Sequence, residues 1–486
     1  MYPIKDVKLI HCRHFINGQF ADSSSEKTFE NRNPATEEVI GTISDGSKQE
    51  VDYAVAAARR ALDGPWKEFS IQQRSELLRK IGNIIIERAE EIAYLESIDT
   101  GKPLSLTKMV DVPRAAYHFR FFANYMMSMG NESYQDQEAF HYSYRHPVGV
   151  AGLIMPWSMP LFLLTWKLAP ALATSNTVVI KPSEWTPLTS TVLMEICQEA
   201  GVPNGVVNLV QGRGIDSVGE YISKHPDVNA IAFIGETRTG KAIMKSSSET
   251  LKKISFELGG KNPTIIFADA DLEEAVDTTV KSCFTNQGEF CLSGSRIYVE
   301  RPIYEEVVDR LNERIQDLNI GNPLNEQTHI GPLISREHYA KVKNYLDIAQ
   351  DDGGEIIWGG TLSDDISKGY FVEPAIITGL QRTSACIRNE VFGPVVTITP
   401  FDMEEEVIMQ ANDTHYGLSA TVWTNDMKRA HRVAQSIRAG SIFVNTWLLR
   451  DARTPFGGMD QSGVGRSGGM HSLDFFTELS NITIKL

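Results

Sequence analysis

In the N-terminal third of the chain, apolar residues recur every three to four positions with charges between them. Residues 51–62 (VDYAVAAARRAL) and 72–95 share this spacing, which predicts two amphipathic helices. The second is predicted to stop at Asp99-Thr100-Gly101, where polar residues precede a glycine. A third helix is predicted over residues 112–127. At Val148 the pattern changes. Short β-branched runs at 148–155 (VGVAGLIM), 176–181 (NTVVIK), 205–210 (GVVNLV) and 229–235 (NAIAFIG) alternate with helical stretches such as Leu188–Ala200. Strands that read as buried on both faces, separated by helices, predict a parallel, doubly wound sheet. After Glu257 a second series follows at 264–267 (TIIF), Arg296–Glu300, Val395–Phe401 and 441–445 (SIFVN), which predicts a second α/β domain. Two segments fit neither domain. Residues 135–145 read as an exposed hairpin arm, and 481–486 (NITIKL) alternate like an edge strand. Exposed edges are usually covered, so a homo-oligomer is expected.

Size and charge narrow the function. The 486 residues suffice for more than one core. A net charge of -15 repels phosphate backbones and argues against a nucleic-acid partner. No apolar run is long enough to span a bilayer; the longest, over 160–173, is interrupted by Trp166 and Lys167. Residues 1–20 contain no apolar block followed by small residues, so no secretory signal is expected. Five cysteines (Cys12, Cys197, Cys283, Cys291 and Cys386) lack CxxC spacing, which points to free thiols, no metal site and a reducing cytoplasm.

Five places carry candidate chemistry. Cys291, in FTNQGEFCLSG, follows a polar, glycine-containing turn that suits an accessible, reactive thiol; the other four cysteines lack such a setting and read as structural. Glu257, in SFELGGKNP, ends an apolar strand, where a carboxylate can serve as general base on water. Its alternative is a surface glutamate beside a turn. The paired glycines after it allow backbone to approach a ligand closely. Gly235 to Gly240 (GETRTG), with Glu236, joins a strand to a helix and can present backbone N–H groups to phosphate, although it is not a full GxGxxG. Lys181 and Glu184 follow another strand and could bond ribose hydroxyls, or be an ordinary solvated pair. Glu390 and Phe392 lie in EVFGP, which also reads as a turn entering the strand Val395–Phe401.

Taken together, these segments resemble the NAD(P)-dependent aldehyde dehydrogenase superfamily. FELGGKNP (256–263) and FTNQGEFCL (284–292) are similar to its glutamate and cysteine signatures, with matching separation. MPW (155–157), KPSE (181–184), EVFGP (390–394) and PFGG (455–458) follow in family order. WLLRDARTPFGG (447–458), HSLDFFTELSNITIKL (471–486) and DVPR (111–114) resemble more closely the branch of 2-hydroxymuconic and 2-aminomuconic semialdehyde dehydrogenases. The resemblance implies an aldehyde dehydrogenase-like α/β fold. It comprises an NAD-binding domain (1–125 and 149–257), a catalytic domain (258–470) and an oligomerisation arm (126–148 and 471–486) that builds a dimer or tetramer. It implies Cys291 as nucleophile and Glu257 as base. NAD is held by Trp157, Lys181, Glu184, Gly235, Glu236, Gly240, Glu390 and Phe392. Two departures stand out: Ser158 replaces the usual oxyanion-binding asparagine, and Ser467 replaces a glutamate of the proton relay. Alignment places Arg114 and Arg450 at substrate-channel positions, with Arg453 as a further partner, which predicts a substrate carrying a carboxylate. Surface salt bridges are the alternative for these arginines. Two other functions are weighed: a general aliphatic or betaine-type dehydrogenase, and an NAD-binding relative with impaired turnover.

Overall fold

The computed structural model describes residues 9–361 and 369–486. Residues 1–8 of the N-terminal reading lie outside this range. The helices begin where side chains satisfy their free N–H groups. Ser47 and Glu50 form a capping box before Lys48–Leu62, and Ser70 and Gln73 form another before Ile71–Glu87. The single helix predicted over 72–95 is two, Ile71–Glu87 and Ala89–Thr100, which meet at Arg88 (φ -98°, ψ 19°). The Arg88 guanidinium bonds both Glu91 and Glu195 at the bend. The apolar period runs on through this one-residue break, so spacing alone does not reveal it. The predicted stop holds: Gly101 caps the second helix with φ 79°. The third helix runs over Val112–Tyr125, preceded by a π-helical turn at Thr107–Asp111.

The two predicted series of strands form two sheets. The first has eight strands. Its centre is five parallel strands in the order Lys253–Glu257, Ala230–Ile234, Val150–Ile154, Thr177–Lys181 and Val207–Leu209. The second has seven strands. Six of them run parallel, with Pro263–Ile266 and Arg296–Glu300 at the centre and Glu355–Trp358 as an antiparallel edge. The chain crosses from one sheet to the other between Glu257 and Pro263. It later returns, because Gly463–Val464 pairs antiparallel with the end of the first sheet and sets Glu257 opposite Gly463. This crossing and return put the end of the Glu257 strand between the two sheets.

The apolar run at 160–173 is a helix, Pro160–Ala173, whose residues are buried all round apart from Phe162. Lys167 sits within it and is itself buried. The arm is a three-stranded antiparallel sheet of Ser133–Gln135, Ala139–Pro147 and Thr477–Lys485. The C-terminal strand starts earlier than the 481–486 alternation indicates and pairs along its whole length, from Thr477 opposite Pro147 to Lys485 opposite Ala139. Tyr134, Tyr144, Leu479 and Ile484 on this arm are exposed. Among the described residues, no helix is long and apolar enough to cross a membrane.

Candidate active site

Glu257 is 5% exposed, and a carboxylate this deep requires a cation or donors. The buried helix supplies the cation: Lys167 Nζ bonds Glu257 Oε1 directly. Ser467 completes a triangle. Its Oγ donates to Glu257 Oε1 at 2.7 Å and accepts from Lys167 Nζ at 2.6 Å. Ser467 is held in place by reciprocal backbone bonds with Phe456, at 2.7 and 2.8 Å. Removing one partner of a buried ion pair costs on the order of 3–5 kcal/mol, so the lysine and the carboxylate depend on one another.

Cys291 lies on the loop after Leu272–Phe284. Its turn is strained: Asn286 (φ 55°) and Gln287 (φ 47°) are consecutive left-handed residues. Gly288 (φ 72°) follows, and a Cβ there would come within 2.3 Å of the Gly393 carbonyl. Side chains hold the turn. Asn286 Nδ2 donates to the Ser158 carbonyl at 3.0 Å, and Glu289 accepts from Ile334 N at 2.9 Å. Asn262 Nδ2 donates to the carbonyls of Cys291 (2.8 Å) and Ser293 (2.9 Å). Of the five free cysteines, Cys291 alone is partly exposed and the other four are buried. The polar turn does not favour the thiolate by itself. Burial, then the charges of Glu257 and Glu390, push the Cys291 thiol up to about 12, while Arg450 opposes them.

Two cavities meet at these residues. One, of about 280 Å³, lies at the carboxyl ends of the parallel strands of the first sheet, where α/β sheets bind ligands. Trp157, Ser158, Gly235, Glu236, Glu390 and Phe392 are on its wall. The other, of about 570 Å³, is lined mainly by aromatic and aliphatic side chains together with Arg114, His118 and Arg450. Cys291 and Glu257 line both. A thiol and a carboxylate thus stand where a molecule in one cavity reaches a molecule in the other.

The cleft on the first sheet fits a dinucleotide. Trp157 packs edge-on against Phe392, with ring centroids 5.2 Å apart, and Trp185 adds a second aromatic wall. Glu236 precedes the helix Thr237–Ser247 without bonding its first amides, which can therefore meet phosphate, and Gly240 lets this helix press on Leu258. Lys181 ends the strand beside Ile154, and its Nζ pairs with Glu184 Oε2 at 2.7 Å. Burial raises the Glu184 carboxyl, but Lys181 more than offsets this and holds it below the usual range. The glycines after Glu257 also make room for Glu390, and Gly259 itself lines the cleft. A Cβ on Gly259 would lie 2.3 Å from Glu390 Oε2, and Gly260 N donates to Glu390 Oε1 at 2.9 Å. The close approach is to a carboxylate of the chain, which burial raises to about 7.

In the larger cavity, the Arg450 guanidinium sits 3.8 Å from the Phe456 ring centroid and 5.7 Å from that of Trp166. Arg114 lies 5.8 Å from the Tyr117 ring. Among the described residues, neither arginine has a carboxylate partner. Arg453 does not join them: it is exposed and pairs with Asp451, two residues away, through Nε and Nη2. Its nearest carboxylate is local, which keeps it on the surface. Sequence reasoning missed Lys167, treating it only as a break in an apolar run. It also missed Asn262, although Asn262 lies within FELGGKNP, and His118, one helical turn from Arg114.

The comparisons with known proteins agree with this geometry. Residues 20–482 match the aldehyde dehydrogenase family. The chain is 48% identical over 482 residues to 2-hydroxymuconic semialdehyde dehydrogenase of Pseudomonas sp. (strain CF600), covering 98% of this chain and 99% of that protein. It is 46% identical over 488 residues to 2-aminomuconic semialdehyde dehydrogenase of Danio rerio, covering 99% of each. The NAD+ complex of an aldehyde dehydrogenase from Bacillus cereus superimposes with a TM-score of 0.96 at 39% identity, over 98% of this chain and 97% of that one. With a thiol and a carboxylate at the junction of two cavities and the match running almost end to end, the chain belongs to the aldehyde dehydrogenase family.

Proposed function

We propose that this enzyme oxidises a carboxylated semialdehyde, such as 2-hydroxymuconic or 2-aminomuconic semialdehyde, to the acid with NAD, as a step in aromatic catabolism. The observation that carries this reading is the pair of arginines, Arg114 and Arg450, which line the cavity that ends at Cys291 and among the described residues pair with no carboxylate. A guanidinium binds a carboxylate through two parallel hydrogen bonds. A semialdehyde gripped there presents its aldehyde at Cys291, and this orientation lowers the barrier by fixing the reacting geometry. The names of the relatives above support the same substrates. A betaine-type substrate is disfavoured, because a cation would meet two arginines.

The chemistry follows from the shared wall. Cys291 Sγ bonds the aldehyde carbon and its proton passes to the aldehyde oxygen, giving a thiohemiacetal. Bound NAD would supply the acceptor for the hydride of that carbon; with the hydroxyl proton lost to water, a thioester is left on Cys291. Glu257 then takes a proton from water, the hydroxide adds to the thioester carbon, and the carbon–sulfur bond breaks, freeing the acid and a Cys291 thiolate that takes the proton back from Glu257. Lys167 and Ser467 hold Glu257 in place through the cation and the hydroxyl donor. Ser158, on the cofactor side, is the candidate donor to the oxyanion. Trp157, Gly235, Glu236, Gly240, Glu390 and Phe392 hold NAD, with Lys181 and Glu184 at the adenosine ribose.

The same reading assigns residues 1–125 and 149–257 to cofactor binding, 258–470 to catalysis, and 126–148 with 471–486 to an arm. The exposed Tyr134, Tyr144, Leu479 and Ile484 support a homo-oligomer in which the arm is covered. Five free thiols support a cytoplasmic setting.

Cys291→Ala should abolish turnover in a steady-state NADH assay while calorimetry still detects NAD binding; substantial residual oxidation would remove Cys291 from the mechanism. Glu184 accepts from ribose hydroxyls and repels a 2′-phosphate, so kcat/KM with NAD should exceed that with NADP. Equal values would show that Glu184 faces elsewhere. Arg114→Ala and Arg450→Ala should each lose about 1.5–3 kcal/mol of transition-state binding, roughly ten- to a hundredfold in kcat/KM, for a carboxylated semialdehyde relative to hexanal. Equal losses on both aldehydes would mean that the arginines support the fold instead.

A further inference from the structure

His118 stands between the two arginines, and the reaction above gives it no role. It is one turn from Arg114 on Val112–Tyr125, so both face the same side of that helix. Its ring centroid is 5.1 Å from Trp166, the ring on which Arg450 also rests, and 5.0 Å from Phe162. Only 3% of the residue is exposed, and it forms part of the wall of the cavity that ends at Cys291. Nδ1 lies 3.0 Å from Thr165 Oγ1, whose hydroxyl also reaches the Phe162 carbonyl at 3.0 Å. With the hydroxyl proton on that carbonyl, Nδ1 donates to Oγ1 and Nε2 keeps a lone pair. Among the described residues Nε2 has no hydrogen-bond partner, and it is not among the sealed, unsatisfied atoms of the interior. It is an acceptor available to a guest in the cavity.

We propose that His118 Nε2 reads a hydrogen-bond donor on the carbon that bears the substrate's carboxylate, so that the enzyme selects semialdehyde acids with a hydroxyl or amino group at that position. The proposal rests on the reading of Arg114 and Arg450 as carboxylate ligands. His118 is near both guanidinium groups, so the proposal sets the carbon adjoining the carboxylate against it. A carboxylate or carbonyl oxygen offers this nitrogen only lone pairs, and a C–H offers nothing, whereas O–H and N–H satisfy it equally well. The acceptor is also protected from protonation. Burial first, then the charges of Arg114 and Arg450, lower the His118 pKa to about 3, so the ring is neutral and its lone pair free at any physiological pH. A substrate lacking the donor strips water from Nε2 without replacing its hydrogen bond, which costs on the order of tenfold in catalytic efficiency.

The test compares three aldehydes of matched length: a semialdehyde acid with a hydroxyl beside its carboxylate, the same acid without the hydroxyl, and hexanal. The wild type should prefer the hydroxylated acid over its unhydroxylated twin by about tenfold in kcat/KM. His118→Phe, which keeps an aromatic ring but has no acceptor, should bring that ratio close to one. His118→Gln, which keeps an acceptor, should retain more of it. Should His118→Phe not fold, as judged by thermal unfolding, Thr165→Val makes the same test: it releases the Nδ1 proton, lets the tautomer exchange, and should lower the ratio. Arg450→Ala should lower both acids by one common factor and leave their ratio in place. Both acids favoured over hexanal, with a hydroxyl ratio that is near one in the wild type or unmoved in His118→Phe and Thr165→Val, would overturn the role of His118 and leave the arginine reading standing. Hexanal used as well as both acids would overturn both.

Discussion

The site depends on placing one carboxylate, Glu257, at the end of a buried strand and keeping it there. A buried carboxylate is costly unless a cation and donors meet it. Here the cation comes from Lys167, in a helix whose other residues are almost all apolar, and the donor comes from Ser467, on the segment that returns from the second sheet. Three parts of the chain distant in sequence must converge for the triangle to form. The return of Gly463–Val464 to the first sheet, the anchoring of Ser467 on Phe456 and the burial of the Lys167 helix all serve that convergence.

Around Glu257 the charges are arranged in opposition. Burial first, then the charges of Glu257 and Glu390, favour the protonated Cys291 thiol, whereas Arg450 favours the thiolate. Cys291 and Glu257 line both cavities, Glu390 lines the cofactor cleft, and the arginines line the larger cavity. In the proposed reaction the arginines and His118 choose the substrate, and Glu257 acts at Cys291.

Much of this was legible in the sequence. The doubly wound order followed from β-branched runs alternating with helical ones, and all four runs of each series are strands. Cys291 stood out from the other cysteines because its turn is polar, and it is the one that reaches the surface of a cavity. What the sequence withheld was long-range. Lys167 reads as a flaw in an apolar helix until Glu257 is placed beside it, ninety positions away along the chain. The glycines after Glu257 point to a close approach but do not say to what, and the answer is Glu390. The break at Arg88 leaves the apolar period intact and so escapes any reading by spacing. Arg453 reads as a further partner of these arginines, yet it is exposed and pairs with a carboxylate two residues away. The role of Ser467 could not be read from its identity, because a hydroxyl is useful there only between a lysine and a glutamate.

The central claim is that Cys291 carries the substrate and Glu257 releases it. Glu257→Gln keeps a similar shape but cannot take a proton from water. The variant, mixed with NAD and a carboxylated semialdehyde and quenched after one turnover, should yield one equivalent of NADH. Its mass should rise by that of the acyl group, and peptide mapping should place the adduct on Cys291. Unmodified protein that continues to turn over at the wild-type rate, or an acyl group on any other residue, would contradict the account.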